Sequence, residues 1–209
     1  MQNTFYKSLI CCTQMILVYI LIFYFMPSRS ESPVSTICII LNACLTIVLA
    51  AAFFHTELAW QWKELVKNKK LWKAVGLAFV FILLAKALGL VIMRSLGAAG
   101  SHNGEVAVQS VSQFPVIMTI YLSLIAPVAE ELVFRFSFKN IIGQKWLFII
   151  VSSIVFGSLH VLSGDFVAIF PYLFTGFVLA FFYVRTKNIF VTILAHLISN
   201  SLISLLSIL

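Results

Sequence analysis

Long apolar runs separated by short polar connections set the pattern of this chain. A helix crossing a bilayer needs about 20 mostly apolar residues. Stretches near residues 8–26, 35–54, 74–93, 114–138, 145–163, 166–184 and 189–209 meet that requirement. The predicted fold is therefore all-α, a polytopic transmembrane helical bundle of about seven spans. The first stretch is too long for a signal peptide, lacks a small-residue cleavage site and precedes further spans, so it is read as a transmembrane helix. The fourth turns polar towards its end.

Composition removes most alternatives. Of 209 residues, 62% are hydrophobic and 10% charged, against roughly half and a quarter in soluble domains. With a mean hydropathy of +1.07, a water-soluble fold would expose far too much apolar surface. Cytosolic enzymes, disordered chains, collagen and disulfide scaffolds are excluded. The expected location is the cell membrane, as a multi-pass protein with the lipid bilayer as its surroundings. Cys11, Cys12, Cys38 and Cys44 lie in apolar runs, where a thiol packs as a small hydrophobe.

The net charge of +7 marks orientation rather than nucleic-acid binding, which is not expected. Lys7, Lys63, Lys67, Lys69, Lys70, Lys73, Arg135, Lys139, Lys145, Arg185 and Lys187 fall on the side of the N-terminus, and only Arg29 and Arg94 on the other. By the positive-inside rule the N-terminus is cytoplasmic, and seven spans put the C-terminus outside. In His55–Lys73, tryptophans 60, 62 and 72 are interspersed with lysines, as in a helix lying among anionic headgroups. Gly97–Gln113, rich in Gly and Ser, reads as a mobile loop. Lys86, inside the third span, either snorkels or faces the bundle interior.

Ionisable groups within spans carry the functional signal, because each costs roughly 2.5–3.5 kcal/mol at a helix centre on insertion scales. Glu130 and Glu131 lie in the fourth span, His160 in the fifth, His196 and Asn200 in the seventh. Adjacent glutamates differ by about 100° around the helix axis and cannot face one cavity equally. Glu131 and Arg135, four apart, suit an intrahelical ion pair, which leaves Glu130 for the site. Phe156 shares a face with His160, as His196 does with Asn200. At about 1.5 Å per residue, Glu130 and His160 lie roughly 16 and 21 Å from the turn at Gly143. His196 and Asn200 lie roughly 12 and 18 Å from the turn at Lys187–Asn188. All four fall in one layer near the middle of the bilayer.

A carboxylate in a low-dielectric cavity is a stronger base towards a nearby water than one in solvent. Imidazoles and an amide can orient that water or donate to a developing oxyanion. The set suits hydrolysis of an amide with water as nucleophile. Other intramembrane hydrolases fit poorly: there is no HExxH, Asp165 is the sole aspartate, and no GxSG occurs.

Glu130-Glu131-Leu132-Val133-Phe134-Arg135 reads as EExxxR, Phe156–His160 as FxxxH and His196–Asn200 as HxxxN. In this order the motifs resemble the CAAX protease and bacteriocin-processing family (CPBP or Abi), intramembrane glutamic endopeptidases, over about residues 114–206. The resemblance implies a helical membrane fold with a polar cavity open to the cytoplasmic side. It also implies that Glu130 activates water, His160 assists, and His196 and Asn200 stabilise the oxyanion, with Glu131, Arg135 and Phe156 in support. Residues 94–209 would form the catalytic membrane domain, and 1–93, including the basic segment 55–73, would set access or partner choice. The substrate would be a peptide or membrane-proximal protein, processed in bacteriocin or peptide maturation or in self-immunity. No cofactor is expected; two carboxylates and two imidazoles keep a divalent metal open, although pairing of Glu131 with Arg135 leaves a single carboxylate for it. A non-catalytic immunity or regulatory protein that binds a peptide, a transporter or a sensor kinase is the alternative, and a proton-coupled transporter the third reading.

Overall fold

The computed structural model describes residues 2–25 and 33–206. Arg29 and the last three residues of the expected seventh span lie outside them. The described chain is a bundle of α-helices: α1 Gln2–Phe25, α2 Pro33–Lys67, α3 Lys69–Ser95, α4 His102–Gln113, α5 Pro115–Ile141, α6 Lys145–His160, α7 Ile169–Thr186 and α8 Ile189–Leu206. Helices α1, α2, α3, α5 and α7 (the last with its lead-in turn from Phe166) are long and apolar enough to cross a membrane; α6 and α8 are shorter apolar helices. The protein is a multi-pass helical membrane protein.

Three local features depart from the reading of the sequence. The basic segment is not a separate connection. It continues α2 beyond a kink at Phe54 (φ −127°, ψ 17°), and α3 begins already at Lys69, capped by the Asn68 side chain accepting from Lys70 N at 3.0 Å. On this segment Trp60 and Trp62 face outwards while Gln61 and Leu65 are buried. Gln61 Oε1 accepts from Ile189 N, and its carbonyl accepts from Asn188 Nδ2, each at 2.7 Å. These bonds fasten the segment to the α7–α8 turn, where Lys187 takes a left-handed conformation (φ 53°).

The supposed loop at Gly97–Gln113 is helical from His102. Ser101 caps it, its hydroxyl accepting from Gly104 N at 3.1 Å, and His102 N donates to Asp165 at 2.9 Å. Finally, α6 stops at His160 rather than near 163, turning through Val161–Gly164 with Gly164 at φ +95°.

Helix α5 carries two π-helical turns, Tyr121–Ile125 and Leu132–Ser137, on either side of the two glutamates. Pro127 accounts for the first, since it lacks the N–H that an α-helix would direct to the carbonyl of Ser123.

Helix α7 is central, packed on α3 and α6, while α8 packs on α3. Small residues permit this closeness. A Cβ at Gly89 of α3 would come within 2.5 Å of the Pro171 backbone, and one at Gly176 of α7 within 3.1 Å of Ser153 Cα. Phe54, Phe136, Phe148, Tyr183 and Ile189 form one apolar cluster, and Val133, Phe134 and Phe156 with Cys12 another, beneath the ionisable residues.

Candidate active site

Between its two π turns, α5 presents Glu130 and Glu131 to different surroundings. Glu131 is fully buried, and the Glu130 side chain keeps 17% of its surface accessible. Glu131 Oε2 lies 3.4 Å from Arg135 Nε, the i,i+4 pair expected from the sequence. The guanidinium of Arg135, itself fully buried, also lies 4.5 Å from the centre of the Phe156 ring.

The other oxygen of Glu131 does something the spacing did not reveal. Oε1 lies 3.0 Å from Nδ1 of His196 on α8, while His196 Nε2 lies 3.9 Å from Glu130 Oε2. An ionised carboxylate only accepts, so Nδ1 carries the hydrogen and the lone pair of neutral His196 is on Nε2, facing Glu130. At 3.9 Å this gap exceeds hydrogen-bond length. Arg135, Glu131, His196 and Glu130 thus form one line across two helices.

His160 enters differently. Its Nδ1 lies 2.7 Å from the carbonyl of Phe156; a carbonyl only accepts, so Nε2 of the neutral ring is unprotonated. The imidazole stacks on Tyr172 of α7 (centroids 4.4 Å apart, planes at 24°) and packs on Phe156 at 4.5 Å. Phe156 is therefore shared by Arg135, His160 and, at 6.2 Å, His196. Among the described residues His160 forms no hydrogen bond to either glutamate.

Asn200 lies one turn beyond His196. Its Oδ1 accepts from Lys86 Nζ at 3.1 Å and its Nδ2 donates to the Leu122 carbonyl at 3.3 Å. Lys86 faces the interior, which settles the alternative the sequence left open, and also donates to Ser199 at 3.1 Å.

Tyr172, in the aromatic-rich stretch 166–184, is a neighbour of the site that no motif marks. Phe166 and Phe177 of that span are exposed, but Tyr172 turns inward, its hydroxyl within 3.1 Å of Ser101 Oγ and accepting from Asn103 at 3.3 Å. A small recess beside His160 is lined by Tyr19, Phe23, His102, Asn103 and Leu159 among others. It lies at the α4 end of the bundle, the end that the charge distribution assigns to the side away from the cytoplasm. The resemblance implies a cavity open to the other side. Among the described residues no three His, Cys, Asp or Glu side chains are grouped to hold a metal ion.

Residues 112–202, which include the glutamates, both histidines and Asn200, match the family model for type II CAAX prenyl endopeptidases, Rce1-like. Over these residues the match supports membership of the CAAX protease and bacteriocin-processing family. Similar proteins include the Bacillus subtilis protein named "Putative membrane peptidase YdiL", 29% identical over 68% of this chain and 57% of its own length. An uncharacterised protein of Mycoplasma capricolum is 35% identical over 55% of this chain and 38% of its own. The Lactococcus lactis UPF0177 protein YxdF is 29% identical over 73% of this chain and 87% of its own. The chain thus spans about half the length of the first two relatives. No solved structure matches it.

Proposed function

We propose that the protein is a membrane endopeptidase of the CAAX type that hydrolyses a peptide bond with water activated by Glu130. The observation that carries this reading is the line Arg135–Glu131–His196–Glu130. It ends in a partly accessible carboxylate separated by 3.9 Å from the unprotonated nitrogen of a histidine whose other nitrogen is held by a second carboxylate. A base oriented by a third group recurs in activated nucleophiles.

In this reading a water beside Glu130 attacks the scissile carbonyl carbon while Glu130 takes its proton. The new C–O bond makes a tetrahedral oxyanion, the C–N bond then breaks, and the proton passes to the leaving nitrogen. Asn200 has one Nδ2 hydrogen beyond the bond to Leu122 with which to hold the oxyanion. Neutral His196 presents a lone pair, so it aids first as an acceptor; once protonated it donates, and Glu131 stabilises the imidazolium. This refines the family-derived role of His196 as an oxyanion donor. His160, with Nε2 unprotonated, is the second acceptor. The substrate class is a peptide or a membrane-proximal protein segment.

The test is cleavage of a quenched peptide library by protein purified in detergent, wild type against Glu130→Gln, each with and without chelator. Loss of a general base lowers the rate by about 10²–10⁴-fold. Cleavage by the wild type alone, insensitive to chelator, supports the reading. Loss of activity with chelator replaces it with a metal site. If neither protein cleaves while both retain the cellular phenotype, the binding role takes its place.

A further inference from the structure

Lys86 belongs to α3, outside the residues matched by the family model, yet it ends in the candidate site. A lysine within a span is costly unless its ammonium is well partnered. Two of its three hydrogens go to Ser199 Oγ and Asn200 Oδ1, each at 3.1 Å. The Asn200 amide is consequently held at both ends. An ammonium only donates and a main-chain carbonyl only accepts, so Lys86 on one side and Leu122 O on the other allow a single orientation of the amide. That orientation fixes where the remaining Nδ2 hydrogen points.

The reach of Lys86 is itself built into the packing. Gly89, one turn along α3, lets the helix approach the Pro171 backbone closely, and α3 also packs along α8.

We infer that Lys86 is a positioning residue of the site, clamping the Asn200 amide so that its free N–H faces the reacting carbonyl. This rests on the hydrolytic reading above. The contact has a second consequence, since it makes α3 part of the site.

The experiment compares wild type, Lys86→Met, Lys86→Arg, Asn200→Ala and Lys86→Met/Asn200→Ala in the cleavage assay, and melts each in detergent. Asn200→Ala should lower kcat about 100-fold, as for loss of one oxyanion donor. Lys86→Met should lower kcat by up to about 100-fold with KM nearly unchanged, the scale of a group misplaced by about 1 Å, and Lys86→Arg, which keeps a donor, should recover most of it. Because Lys86 acts through Asn200, the double variant should be no slower than Asn200→Ala alone. Losses that multiply, or a Lys86→Met enzyme with wild-type kcat, overturn the inference. In the melts the two substitutions should be non-additive, and additive melting shifts overturn the contact itself. A wild type that cleaves nothing overturns the hydrolytic reading and the positioning role together. Wild-type cleavage with an inert Lys86→Met change overturns only the latter.

Discussion

Glu130 and Glu131 are chemically identical neighbours with opposite commitments. Glu131 has one oxygen on Arg135 and the other on His196, and is fully buried. Glu130 keeps part of its surface accessible. Breaking a buried, paired charge costs about 3–5 kcal/mol. Glu131→Gln should therefore lower the melting temperature sharply and abolish cleavage, whereas Glu130→Gln should abolish cleavage with melting close to wild type. Equal melting of the two variants would remove the distinction. The i,i+4 spacing made the Arg135 contact legible. The His196 contact was not, because it joins α5 to α8 across 65 residues, and periodicity says nothing about which helices are neighbours.

At the level of elements, close helix contacts offer a contrast between glycines. A Cβ at Gly89 meets the Pro171 backbone, whereas nothing lies within 4 Å of one at Gly76, also on α3. Overpacking costs about 1–3 kcal/mol or more where backbone must move. Gly89→Ala should therefore destabilise the protein and slow cleavage by drawing Lys86 away from Asn200. Gly76→Ala should hold or slightly raise the melting temperature. Helix α4 gives a second case. Its start is tied to Tyr172 through Ser101 and Asn103. Tyr172→Phe keeps the ring against His160 and loses those bonds, so amide exchange over 102–113 should quicken while exchange in α6 stays as in wild type. The Gly/Ser content of 97–113 concealed this helix, since its stability comes from a cap and from contacts with α7 rather than from propensity.

For the molecule as a whole, orientation is a prediction of loop charge. In a background without the native cysteines, Gly143→Cys should react with an impermeant maleimide only from the cytoplasmic face, and Gly100→Cys only from the opposite one. Labelling of both from one face would refute the seven-span topology. The N-terminal helices are also expected to be indispensable. A chain reduced to residues 112–209 loses α3, the partner of both α7 and α8, and should fail to give a monodisperse, cooperatively melting protein in detergent.

The sequence by itself determined the solvent, the helical class and the cast of ionisable residues. Hydrophobic runs of bilayer length admit few other folds, and a charge inside a span is too costly to occur without partners. It also determined the Glu131–Arg135 pair, because both residues share one helix face. Only the tertiary structure decided that His196 binds Glu131, that Lys86 turns inward to Asn200, and that Tyr172 stacks on His160. The first two contacts join helices far apart in sequence and the third joins the consecutive helices α6 and α7; in all three, which faces meet depends on the packing of whole helices around α7, a property no single segment encodes.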